Sequence, residues 1–224
     1  MKSGLTVVRV LVDRSGSMSS IREATVSGIN EFITAQKAQP GEAKIKVVQF
    51  DENSGHLTYD VILEGDLKSV STITQDQFTP RGMTPLLDAM GRTIDELGTD
   101  LAKLPEGERP EKVVVVVVTD GMENASRKFK AEQIKSMVEH QTSKYNWSFT
   151  YIGANQDAIL VGQSMGFDSM RSMTFSANSV NTKSAFLGAS NLVSRVRGMS
   201  VEDVVNAGYT KEEREESLDP ADKQ

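Results

Sequence analysis

Apolar residues along this chain fall into short β-branched runs separated by longer stretches of near-helical spacing. Leu5 to Val12 is such a run, bounded by Gly4 and by the polar cluster from Asp13 to Ser20, and it reads as a strand buried on both faces. From Ser20 to about Ala38 the residues Ile21, Ala24, Ile29, Phe32 and Ile33 recur at helical spacing until Pro40-Gly41 stops the pattern. Ile45 to Phe50 predicts a second strand. Leu57 to Leu63 follows across Asn53-Ser54-Gly55, a gap short enough for an antiparallel hairpin. Thr84-Pro85 opens a helix to about Leu97, with Thr84 as its N-cap and Pro85 at the first helical position. The valine run within Lys112 to Thr119 needs cover on both faces, which only a central strand receives. A helix over Ala131–His140, a strand over Trp147–Ile152, a short helix over Gln156–Met165, a strand over Ser172–Ser176 and a helix over Val180–Arg197 complete the pattern.

Strands alternating with helices and joined by right-handed crossovers predict an α/β fold. The expected architecture is a doubly wound, mostly parallel six-stranded sheet with one antiparallel edge strand and helices on both faces. The folded domain is expected to cover residues 1–198. Beyond it the charged run Lys211-Glu212-Glu213-Arg214-Glu215-Glu216 and a polar, proline-containing end mark residues 199–224 as a solvated or frayed tail.

Composition narrows the function classes. With 224 residues the chain is long enough to bury a core unaided, and it contains no cysteine, which excludes disulfides and thiolate metal sites and fits a reducing compartment. No signal-like segment precedes Leu5 and no apolar run approaches the roughly 20 residues of a membrane helix, so a cytoplasmic location without membrane contact is expected. The net charge of −6 and pI near 5.1 argue against a general phosphate-binding surface, so nucleic acid is not the expected partner.

In a doubly wound sheet ligands bind beyond the carboxyl ends of the strands. Three polar clusters are expected on that rim: Asp13-Arg14-Ser15-Gly16-Ser17 after the first strand, Arg81-Gly82-Met83-Thr84-Pro85 before a helix, and Thr119-Asp120-Gly121 after the valine strand. Their side chains offer oxygen in the form of two carboxylates and several hydroxyls, the donor type preferred by a hard divalent cation. Taken singly, each cluster is also an ordinary turn or cap. Asp51, Glu52, Glu123, Asn124, Arg14, Arg81 and Arg127 flank the clusters and are expected to be solvated loop groups.

The set Asp13-x-Ser15-x-Ser17, Thr84 and Asp120 resembles the metal-ion-dependent adhesion site of von Willebrand factor A domains, and the resemblance covers roughly residues 5–197. In detail it is to the small intracellular members of bacteria and phages, a group that includes proteins of tellurite-resistance clusters. The resemblance implies that Ser15 and Ser17 hold the metal directly, Thr84 directly or through water, and Asp13 and Asp120 largely through water. It implies Mg²⁺ as the first choice of cation, with Mn²⁺ or Ca²⁺ as alternatives. It also implies a binding module, not an enzyme, whose metal accepts an Asp or Glu of a protein partner such as an AAA+ ATPase or another component of a multi-protein assembly.

The rival reading is a Mg²⁺-dependent hydrolase or phosphatase using Asp13 and Asp120, although such chemistry usually places a second carboxylate where this chain has Ser15. Gly162-Gln163-Ser164-Met165-Gly166 matches a nucleophile elbow in letters only, because helix is expected before Ser164 and both histidines, His56 and His140, precede it.

Overall fold

In the computed structural model, which describes residues 1–154 and 157–222, the valine run forms β4 (Pro110–Thr119). Its side chains alternate between two cores, as the period of a strand requires. Val114, Val116 and Val118 enter one core with residues of α1 (Arg22–Lys37) and α5 (Ser179–Gly198). Val113, Val115 and Val117 enter the other with residues of α2 (Leu86–Lys103), α3 (Ala131–Tyr145) and α4 (Ala158–Ser164).

The remaining strands are β1 (Lys2–Asp13), β2 (Glu42–Asn53), β3 (His56–Asp66), β5 (Ser148–Ala154) and β6 (Ser172–Phe175). They form one sheet in the order β3-β2-β1-β4-β5-β6. β2 and β3 pair antiparallel, and every other neighbouring pair is parallel. The expected six-stranded, doubly wound architecture is therefore present. Strand order reverses between β1 and β4, whose registered partners Val12 and Val118 bring their carboxyl ends side by side.

The elements differ from the sequence reading mainly at their ends. The first three strands extend several residues past their apolar runs, because ladder pairing carries polar residues as well. A 3₁₀ turn, Gly16–Ile21, runs into the predicted start of the first helix at Ser20, and α1 itself begins at Arg22. Gln156, the predicted start of the next-to-last main helix, lies outside the described residues, and α4 begins at Ala158. α2 begins one residue later than predicted: Pro85 is its N-cap and no side chain caps it from that position, so Thr84 is not the cap.

The segment after Ser200 also differs from the solvated tail expected from its charge. Val204, Ala207 and Tyr209 are buried in the α1/α5 core, and α6 (Lys211–Glu216) follows. Glu213 accepts both outer nitrogens of Arg195 at 2.8 Å, and Arg214 donates to the carbonyls of Ser172 and Met170. The charged run is thus one edge of a strap whose apolar residues lie upstream. Among the described residues no helix is long and apolar enough to cross a membrane.

Candidate functional site

β1 ends at Asp13 and β4 ends at Thr119, so the switch in strand order sets these two side chains against each other. Asp13 has no solvent exposure. Its Oδ2 accepts the Thr119 hydroxyl at 2.6 Å and the Thr84 hydroxyl at 3.4 Å, while its Oδ1 accepts the Ser15 amide at 2.7 Å. Ser15 Oγ lies 3.0 Å from Ser17 Oγ, which in turn donates to Asp120 Oδ1 at 2.6 Å. All five residues singled out by sequence are thereby brought into one hydrogen-bonded group. Thr119 belongs to the same group, and its place in Thr-Asp-Gly at a strand end was the available signal.

The oxygens converge on a space kept open by a missing side chain. A Cβ at Gly121 would lie 2.8 Å from Thr84 Oγ1 and 3.5 Å from both Asp13 Oδ2 and Ser17 Oγ. Electrostatics point the same way. Burial pushes the Asp13 carboxyl up to about 6, against the opposing hydrogen bonds from Thr119 and Ser15. Burial also raises the Asp120 carboxyl, opposed by the Ser17 hydroxyl. Among the described residues no lysine, arginine or histidine pairs with either carboxylate. One enclosed and one half-buried acid, with no cationic side chain paired to either among the described residues and set among hydroxyls, fit a hard divalent ion. Among the described residues no group of three or more His, Cys, Asp or Glu side chains could hold a metal, so a cation here would depend on the hydroxyls.

Loops distant in sequence place these groups. The Thr84 amide donates to Asn124 Oδ1 at 2.8 Å, and the Leu87 amide donates to Glu123 Oε2 at 2.9 Å. Asp88 accepts the amides of Arg127, Lys128 and Phe129 at 2.8–2.9 Å. The open N-terminal end of α2 is therefore satisfied by the β4–α3 loop. Glu123, half-buried, is a structural ligand of that helix end and not the solvated loop group expected, whereas Asn124 is exposed as expected and still accepts the Thr84 amide. Asp51 is fully buried and pairs with Arg14, itself buried, and with Arg81. Arg127 remains exposed.

Ser164 sits in the last turn of α4, its hydroxyl donating to the Val161 carbonyl at 2.7 Å, and no strand precedes it. The elbow geometry is absent.

No family model matches the chain, and no curated relative matches it either. Solved structures do. A von Willebrand factor type A protein from Catenulispora acidiphila superposes with a TM-score of 0.53 at 13% identity, over 87% of this chain and 43% of that one. The fold is of the von Willebrand factor A type. Proximal thread matrix protein 1 from the mussel byssus, in a structure with a zinc-occupied MIDAS motif, superposes with a TM-score of 0.54 at 15% identity, over 88% of this chain and 48% of that one. The open pilus adhesin SpaC from Lactobacillus rhamnosus GG gives a TM-score of 0.62 at 10% identity, over 87% and 30%. At these identities the likeness is one of fold. The chain spans less than half the length of each of these proteins.

Von Willebrand factor A-type topology accounts for the position of the site. Its central parallel strands β1 and β4 deliver Asp13 and Asp120 to one rim, and the loop before α2 closes over them with Thr84.

Proposed function

We propose that this protein is a metal-dependent protein-binding module and not an enzyme, with Asp13, Ser15, Ser17, Thr84 and Asp120 holding one divalent cation. The observation that carries the reading is the convergence of these oxygens on the space beside Gly121, around carboxylates that have no cationic side-chain partner among the described residues. Mg²⁺ is the expected ion, with Mn²⁺ and Ca²⁺ as competitors; the zinc in the mussel protein's MIDAS motif is support for a divalent ion in general. Bound there, the cation supplies an open coordination position for a carboxylate oxygen of a partner.

The chain's own residues suit capture better than turnover. Asp13 is fully enclosed and saturated by hydroxyl and amide donors, which leaves it poorly placed as a nucleophile. Ser17 is exposed at the mouth. Met83 and Met122 flank the site with 45% and 71% of their surface exposed, on loops joined by the Thr84–Asn124 hydrogen bonds. Flexible, polarisable methionines suit an apolar partner surface. The partner class is therefore a protein that presents Asp or Glu beside apolar side chains. The resemblance to small intracellular bacterial and phage proteins, including those of tellurite-resistance clusters, makes a cytoplasmic AAA+ ATPase or another assembly component the partner to try.

Thermal unfolding of metal-stripped protein titrated with Mg²⁺ and Mn²⁺ tests the site. A ligand specific to the folded state stabilises it by about 2.7 kcal/mol at a hundredfold excess over its dissociation constant. Wild type should gain stability with metal and the Ser15→Ala, Ser17→Ala double variant should not. Equal gains in both proteins would remove these residues from the site.

A further inference from the structure

We propose that Asp51 is a positioning residue for the metal site, its buried carboxylate tying the loop of Ser15 and Ser17 to the loop of Thr84. The inference rests on the metal-binding reading above. Asp51 lies in β2, remote in sequence from both loops. Its Oδ1 accepts Arg14 Nη2 at 2.6 Å, and its Oδ2 accepts Arg81 Nε at 2.7 Å. Arg14 stands between Asp13 and Ser15, and Arg81 stands three residues before Thr84. One carboxylate therefore grips both metal-binding segments.

The backbones follow the same path. The Arg14 amide donates to the Phe50 carbonyl at 2.8 Å, and the Arg14 carbonyl accepts the Arg81 amide at 2.8 Å. Gly16 donates to the Gly82 carbonyl at 3.1 Å, and Glu52 donates to the Met83 carbonyl at 3.0 Å. This layering leaves no room for a side chain at Gly82, which has φ +67° and where a Cβ would lie 1.9 Å from the Glu52 carbonyl oxygen. Thr84 then reaches Asp13 at 3.4 Å, the longest hydrogen bond of the site and so the contact most sensitive to a loop shift.

Charge adds a second effect. Arg14 is also paired with Asp60 at 3.0 Å, so two carboxylates balance two guanidinium groups next to the cation site. The Arg14 Nε is buried with no hydrogen-bond partner among the described residues, which leaves its outer end to hold the side chain. Loss of the Asp51 charge would both free the two loops and leave excess positive charge beside the metal.

The test compares wild type with Asp51→Asn, Arg81→Gln and the double variant. Mn²⁺ affinity is read by electron paramagnetic resonance of free Mn²⁺, and amide exchange of Gly16 and Arg81 is read by NMR in metal-free protein. Arg81→Gln removes an arm that is 48% exposed and keeps the test decisive even where Asp51→Asn fails to fold. Asp51→Asn should raise the Mn²⁺ dissociation constant about tenfold, the scale seen when outer-shell partners of metal ligands are removed, and Arg81→Gln, which frees the Thr84 loop but takes a positive charge from beside the site, should raise it by less. The Gly16 and Arg81 amides should exchange faster while those of β4 do not change, and the double variant should lose no more affinity than the stronger single one. Unchanged affinity and exchange, or additive losses in the double variant, would overturn the proposal. Should wild type bind no Mn²⁺, the metal reading itself falls, and unchanged amide exchange would then overturn the coupling while faster exchange supports it.

Discussion

Asp13 carries a fully enclosed carboxylate whose pKa burial raises from 3.8 to about 6, and this places a strain on the metal-free protein at neutral pH. Between those two values the folded chain binds the proton more tightly than the unfolded chain does. The stability linked to Asp13 is therefore present at low pH and lost as pH rises through about 6, a difference on the order of 3 kcal/mol. A cation at the site removes that penalty, and protons compete with it below about pH 6. Metal-free Asp13→Asn should accordingly melt above wild type at pH 7, by roughly 5 °C or more for a chain of this size. The difference should shrink towards pH 4, and the variant should lose the response to Mg²⁺. Paired melts across that pH range decide the matter; a variant no more stable than wild type at pH 7 would show that the buried charge is not under strain. Sequence placed Asp13 at the site through its position at the end of an apolar run. Its protonation behaviour depends on enclosure by Thr119 and Thr84, from parts of the chain that local reading treats as separate turns.

α2 shows why element boundaries near the site were harder to read. Thr84-Pro85 has the local chemistry of a helix start, yet Thr84 turns its hydroxyl to Asp13 and leaves the capping to Glu123 and Asn124 of a distant loop. Two acidic side chains, Glu123 and Asp88, thereby sit at the positive end of the α2 dipole, and both also bind amides of the β4–α3 loop. Asp88→Ala should unpair the amides of Arg127, Lys128 and Phe129 and destabilise the protein by about 1–3 kcal/mol. Denaturant unfolding with hydrogen exchange resolved by residue checks this. Protection should fall first at residues 127–129, and unchanged protection there would mean that other contacts hold the loop. A helix start is legible when its cap is local; here the cap comes from a loop almost 40 residues further along the chain, on the same face of the sheet.

At the scale of the whole molecule, the strap after Ser200 completes the core on the α1/α5 side. Truncation after Gly198 removes buried Val204, Ala207 and Tyr209 and strips Arg195 of Glu213. With about 1.5–3 kcal/mol for each large apolar side chain taken from water, the truncated chain should lose several kcal/mol. Calorimetry should find it melting well below the full chain, and equal melting temperatures would show that the strap is decoration. Charge density alone marks this segment as solvated, because the alternation of acids and bases conceals the few apolar anchors upstream. The order of strands and helices was legible from sequence because periods of two and of 3.6 residues are local properties, and the valine run admits only a central strand. That Asp13, Ser15, Ser17, Thr84 and Asp120 share one rim was legible because their clusters follow strand ends or precede a helix, in order along the chain. The bridge from Asp51 to Arg14 and Arg81, the capping of α2 by Glu123 and the docking of the strap were decided only by tertiary structure. Each joins groups far apart in sequence, and such contacts exist only once the parallel sheet has brought their elements together.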